Sequence, residues 1–287
     1  MVAYVLAMLI FGTMGPLVKY ISLPAEIIAL SRGCLGALCL WLAWVGLRQH
    51  FQREVLRRKW WLLLLSGAAL GFNWIYLFAA YKLTSVASAT VCYYMAPLMV
   101  MCACALIYKE KVGAFKWGCA AVALLGLALT AGFFDGNSDA KLPGVIMGLL
   151  AAGHYAVLIL LNKSLQGLGT LELSALQLSL AGLILLPYSL WQVDVSALEL
   201  NLRSVLLTLC LGLVHTGLAY LLYFGALQRL SGVRIAIFSY IDPAVAVLLS
   251  LTFLHEPLST AALIGAGLIL GAAAASELVN FRRRKAG

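Results

Sequence analysis

The chain has 287 residues, 63% of them hydrophobic and only 11% charged, with a formal net charge of +9 and a mean hydropathy of +0.99. This composition excludes an ordinary soluble domain, in which about a quarter of residues are charged. The positive balance needs no nucleic-acid partner, because basic loops against an anionic lipid leaflet produce it.

The apolar residues come in blocks of about twenty, the length that crosses a ~30 Å hydrocarbon core at ~1.5 Å per residue. The blocks lack the two-residue alternation of a barrel strand, so helices remain as the way to satisfy the backbone in lipid. In chain order the spans are expected at 2–21, 25–47, 60–81, 85–108, 114–132, 143–162, 170–191, 203–227, 233–254 and 260–280. The first has no basic region before it and outruns a signal-peptide core, so it is expected to stay as the first helix. The second span carries Arg32, the third Asn73, Trp74 and Tyr76, and the fourth Tyr93, Tyr94 and Pro97. The sixth carries His154, the eighth His215, Tyr220 and Tyr223, and the ninth Phe238, Tyr240, Asp242 and Pro243. GxxxG spacings at Gly67 and Gly71, Gly144 and Gly148, and Gly267 and Gly271 let helices approach closely, within one chain or across a dimer. All seven cysteines fall inside spans, with no CxxC pair and no histidine at ligand spacing, so free thiols and no metal are expected.

Orientation follows the distribution of lysine and arginine. With the N-terminus cytoplasmic, fifteen basic residues lie inside: Arg48, Arg53, Arg57, Arg58, Lys59, Lys109, Lys111, Lys116, Lys163, Arg229, Arg234, and Arg282 to Lys285. The outer side receives Lys19, Lys82, Lys141 and Arg203 with Asp135, Asp139, Asp194 and Glu199, so both termini are expected inside. The chain also repeats at an offset of 146, which carries Glu26 onto Glu172, Gly36 onto Gly182, Gly71 onto Gly217 and Phe78 onto Phe224. The same offset carries Tyr94 onto Tyr240, Pro97 onto Pro243 and Glu110 onto Glu256. Five spans per half is an odd number, so the second half enters the membrane with the opposite polarity. The expected fold is all-α and integral to the membrane, ten transmembrane helices in two inverted five-helix repeats at 1–132 and 143–281, with a substrate site where the halves meet.

The two-times-five plan, the matched prolines of the fourth and ninth spans, and the junctions Tyr108-Lys-Glu-Lys-Val-Gly113 and Leu254-His-Glu-Pro-Leu258 resemble the EamA family of the drug/metabolite transporter superfamily. The resemblance covers nearly the whole chain. It implies alternating access around a central cavity in a bacterial inner membrane, usually for export. It leaves the cargo open among amino acids, sugars, nucleotide sugars, quaternary amines and drugs.

Ionisable residues far from either surface point to function, because a charge there is costly unless it is paired or meets water. Depth counting at ~1.5 Å per residue puts Arg32, Asp242, His154 and His215 in one central layer. Asp242 has the neutral Ala96 as its repeat counterpart, so it reads either as a cargo or proton site or as an ion-pair partner of Arg32 or Arg234. Arg32 reads as a clamp for a cargo carboxylate, as a snorkelling arginine or as that pair's other half. His154 and His215 read as proton relays or as hydrogen-bonded packing. Trp74, Tyr76, Tyr93, Tyr94, Tyr220, Tyr223, Phe238 and Tyr240 lie at similar depth and are candidates, with Asn73, for contact with cargo; aromatic faces also hold cations. Adjacent helical positions point about 100° apart, so Tyr93 and Tyr94 are not both expected in the pore. Glu110 and Glu256 precede a span, where a carboxylate complements a helix start. Pro97 and Pro243 each free a carbonyl and permit a hinge.

The leading expectation is a secondary transporter, an exporter of small amphipathic or zwitterionic metabolites such as amino acids, as monomer or homodimer, with protons as a candidate coupling ion. No cofactor is expected, and no GxxxxGK[ST] phosphate loop for ATP occurs. An organic-cation or drug carrier is the near alternative. A lipid-modifying membrane enzyme is a remote one, since no HExxH, GxSxG or aspartate cluster is present.

Overall fold

A computed structural model describes residues 1–48, 51–107, 109, 112–130, 138–198, 200–227, 230 and 232–286, and no strand occurs among them. Tyr108, Glu110, Lys111, Asp135, Glu199 and Arg229 lie outside the described residues, as do the side chains of Asp139, Lys141 and Arg282 to Lys285.

The helices are α1 (Val2–Gly12), α2 (Met14–Lys19), α3 (Ala25–Gly46), α4 (Arg53–Leu83), α5 (Val86–Tyr93), α6 (Ala96–Ile107) and α7 (Ala114–Thr130). They continue as α8 (Ser138–Ser164), α9 (Thr170–Gln192), α10 (Leu202–Cys210), a π-helical stretch (Leu211–Leu218), α11 (Ala219–Leu227), α12 (Gly232–Ser239), α13 (Ile241–Thr252) and α14 (Thr260–Ala286). Seven stretches are long and apolar enough to cross a membrane, and Ala114–Thr130, Ile241–Thr252 and Thr260–Ser276 are shorter apolar helices. All seven cysteines are free thiols.

Local chemistry sets the ends and breaks. Ser85 starts α5 by accepting from the Ser88 N–H, and Asn201 starts α10 by accepting from the Ser204 N–H at 2.7 Å. In α4 the backbone leaves helical geometry at Lys59 (φ −121°, ψ 19°), whose Nζ donates to the Ser164 carbonyl at 2.6 Å. The apolar rod expected from residue 60 is therefore preceded by a short charged helix from Arg53. Pro97 and Pro243 sit just inside α6 and α13, where the missing N–H breaks the path from α5 and α12.

Packing runs across the halves. α3 lies along α9, α4 along α8 and α9, α1 along α11 and α13, and α7 along α14. The Ser189 hydroxyl donates to the Glu26 carbonyl and the Gln52 N–H to Glu172, so α3 and α9, equivalent at the 146-residue offset, run antiparallel. α7 and α14 are equivalent too and cross where a Cβ on Gly126 would meet the Gly265 carbonyl oxygen at 2.7 Å and Ile269 at 2.9 Å. Two backbones meet there with nothing able to give way. Gly126→Leu is expected to lower stability by about 1 to 3 kcal/mol through overpacking. Gly118→Leu, on the same helix with nothing within 4 Å, should leave it nearly unchanged. Thermal unfolding of the two variants in detergent checks this, and equal effects would refute it.

The GxxxG spacings divide. A Cβ on Gly67 would meet Leu180, one on Gly144 Thr84, and one on Gly148 Cys92, all under 3.0 Å, so these glycines serve packing within the chain. Gly267 and Gly271 meet nothing within 4 Å.

Candidate functional site

A cavity of about 540 Å³ lies among α1, α3, α4, α5, α8, α9, α11 and the break before α13. It extends from the central layer to Asn162 and Thr170, where α8 ends and α9 begins. The opposite end of the bundle is closed. There Glu256 ion-pairs with Lys19 at 2.9 Å and accepts from the Val86 N–H at 2.7 Å and from the Ser250 hydroxyl. Lys82 Nζ donates to the carbonyls of Ile21 (at 3.1 Å) and Leu23, and Arg203 lies 4.5 Å over the Tyr20 ring. Glu256 thus caps α5, not the span that follows it in sequence, because the turn after α13 folds back onto the start of α5.

Arg32 is 2% exposed and makes no ion pair with Asp242. Its Nε donates to Thr216 Oγ1 at 2.8 Å, its Nη1 meets Met14 Sδ at 3.0 Å, and its guanidinium lies 4.2 Å over the Trp74 ring and 5.7 Å from Phe78. The π-helical stretch helps here, since its wider turn brings neighbouring His215 and Thr216 toward α1 and α3. Asp242 Oδ2 accepts from the Tyr94 hydroxyl at 3.0 Å, and α1 crosses beside it at Gly12, where a Cβ would lie 2.8 Å from the Asp242 carbonyl. The ion pairs of Asp242 with Arg32 or Arg234 weighed from the sequence are not formed. A cation and an anion instead stand in one cavity wall, each held by neutral groups.

The cavity wall also takes in Asn73, Trp74, Tyr93, Tyr94, Tyr220 and Tyr223. Tyr93 and Tyr94 both reach it, contrary to the helical argument, because α5 ends at Tyr93 and Tyr94 belongs to the break, leaving the rings 82° apart with centroids at 6.3 Å. The remaining candidates lie elsewhere. His154 and Tyr76 pack together on the outer wall with ring centroids 5.0 Å apart and planes tilted by 44°, and His154 Nδ1 is 2.9 Å from the Leu150 carbonyl. His215 is buried behind the wall with Nε2 2.8 Å from Thr13 Oγ1. Phe238 packs with Tyr4 and Ala226, and Tyr240 lies behind Tyr94 with ring centroids 6.1 Å apart.

Sequence reasoning passed over Tyr4, Tyr81, Tyr155 and Phe224, and a polar strip on α9. Thr170, Ser174 and Gln177 recur at helical spacing inside an apolar span, a stripe that marks a wetted face. Gln177 Nε2 donates to Asn162 Oδ1 at 2.6 Å and to Ser66 Oγ at 3.0 Å, forming a neutral rim on the cavity's open side. No metal-binding cluster of His, Cys, Asp and Glu gathers among the described residues.

A family model described as the EamA-like transporter family matches residues 1–132 and 142–276. The chain is 31% identical over 252 residues to an uncharacterized transporter, YxxF, of Bacillus subtilis (strain 168), covering 87% of this chain and 80% of that one. It is 28% identical over 237 residues to protein PecM of Dickeya dadantii (strain 3937), covering 79% of this chain and 76% of that one. A solved crystal structure matches with a TM-score of 0.68 over 98% of this chain and 97% of its own, at 19% identity, a likeness of fold.

Proposed function

Because the chain belongs to the EamA-like transporter family, and so is a multi-pass transporter of the bacterial inner membrane and not an enzyme, we propose that it moves small zwitterionic metabolites, amino acids or their derivatives, outward and without ATP. The observation that carries this reading is the shared cavity of Arg32 and Asp242, which are not bonded to each other. A guanidinium fork meets a carboxylate with two parallel bonds, and a carboxylate meets an ammonium group. Both ends of a zwitterion are then served in one apolar, aromatic chamber.

The wider architecture under this reading is ten spans in two inverted repeats, 1–132 and 143–281, with both termini cytoplasmic. Support comes from the antiparallel run of α3 with its equivalent α9, and from the packing of α7 against its equivalent α14. The cavity then opens toward the cytoplasm, and the Lys19–Glu256 end closes the outer face. Alternating access would break that outer seal once cargo has loaded from the cytoplasmic side.

Protons are the proposed coupling ion, through Tyr94. Its single hydroxyl proton faces two acceptors, Asp242 Oδ2 at 3.0 Å and the Ser239 carbonyl at 3.3 Å. With Asp242 ionised, Tyr94 donates to it. With Asp242 protonated, its own proton goes to the Tyr94 oxygen and the Tyr94 proton turns to Ser239 at the helix break.

An organic-cation carrier is the second reading, favoured by Asp242 among aromatic rings. Against it, Arg32 already covers the Trp74 face and would repel a bare cation. Proteoliposomes loaded with a panel of labelled amino acids, amines and quaternary cations, with and without a pH gradient, separate the two. Saturable, gradient-driven movement of amino acids is expected. Movement of quaternary cations alone would replace the first reading with the second.

A further inference from the structure

We propose that Asn73 reads a third polar group on the cargo, a hydrogen-bond donor such as a side-chain hydroxyl or amide N–H. The inference rests on the zwitterion reading above and narrows it. Asn73 is fully buried in α4 yet forms part of the cavity wall, next to the Trp74 that stacks on Arg32. Its Nδ2 donates to the Ala151 carbonyl of α8 at 2.7 Å. A backbone carbonyl only accepts, so the amide nitrogen has to face Ala151 and the amide cannot be turned over without setting two acceptors against each other. Its Oδ1 is left directed away from Ala151 and accepts no hydrogen bond among the described residues, while the Tyr93 hydroxyl lies beside the same amide.

Three buried side-chain polar atoms lack a partner among the described residues: Trp44 Nε1, Thr208 Oγ1 and Asn73 Oδ1. Only Asn73 belongs to the cavity wall. An acceptor fixed by a hydrogen bond at its other end, beside the carboxylate clamp, is preorganised for a neutral donor on the body of the cargo. The tyrosine hydroxyls of the wall can donate as readily as accept, whereas an amide oxygen only accepts, so Asn73 is the group that selects for a donor. A site built around such an acceptor rejects an isostere lacking the donor, because the acceptor is then desolvated with nothing in exchange.

The experiment is competition in proteoliposome counterflow with matched pairs: L-threonine against L-2-aminobutyrate, and L-tyrosine against L-phenylalanine. Wild-type protein is expected to favour the hydroxylated member about tenfold or more in a pair that it accepts. Asn73→Leu should bring the two members to within about twofold, and the ratio within one variant cancels any general loss of folded protein. If Asn73→Leu does not fold, the wild-type ratio alone decides. Competition by both members without preference, or a preference kept in Asn73→Leu, overturns the assignment and leaves the zwitterion reading standing. No competition by any member overturns both.

Discussion

Asp242→Asn is expected to weaken uptake of ammonium-bearing cargo about ten- to hundredfold, the worth of one charge-assisted hydrogen bond, and to remove the response to a pH gradient. Asparagine keeps an oxygen that accepts from the Tyr94 hydroxyl at the observed 3.0 Å, so the helix break before α13 should persist and the loss should be one of charge. Half-saturation concentrations in proteoliposomes, with and without the gradient, measure both parts. An Asn variant that still follows the gradient would move the coupling proton elsewhere. His215 would then be the next group to test, since it lies beside Thr216, the residue that positions Arg32.

The second large effect is expected at the opposite end of the cavity. Glu256→Ala removes the ion pair to Lys19, the cap on the Val86 N–H and the bond from Ser250 together, in a place where Glu256 is only 13% exposed. The three losses leave a lysine and a helix start without partners, a cost of about 2 to 4 kcal/mol. Unfolding in detergent reads the stability, and labelling reads the seal. Ala87 lies under the seal at 2% exposure, so a cysteine placed there, in a chain whose own seven are replaced, should be protected from an impermeant reagent. In the Glu256→Ala background it should label. Unchanged protection would mean that Lys82 and its bonds to Ile21 and Leu23 hold the end shut by themselves.

The course of the helices was legible because the hydrocarbon thickness imposes a length, and the breaks were legible at Pro97 and Pro243 because proline lacks a donor. What the sequence left open was azimuth. In a lipid-facing helix apolar residues cover the outside as well as the inside, so depth identifies a layer without saying which side of the helix meets the cavity. His154 shows the cost: it faces outward, whereas its neighbour Tyr155 lines the cavity. Tyr93 and Tyr94 show the converse, since the rule for adjacent helical residues fails where the helix has ended. Glu256 shows a third limit. Its position before a span suggested the nearest helix start, but the donor it meets, Val86, is 170 positions away.

The exchange of walls between the halves has a consequence for how the protein is made. α1 has its packing partners in α11 and α13, and the Tyr4 hydroxyl meets the Ile235 carbonyl 231 positions further along the chain. At bacterial-like synthesis rates of ~5 to 20 residues per second, α1 waits roughly 10 to 45 s in the bilayer before these partners emerge. Throughout that interval its Tyr4 and Phe11 face must rest against lipid or an insertion factor. A ribosome stalled after α9 would therefore hold an inserted but unsealed intermediate, and the cavity comes into being only when the last third of the chain closes over the first helix.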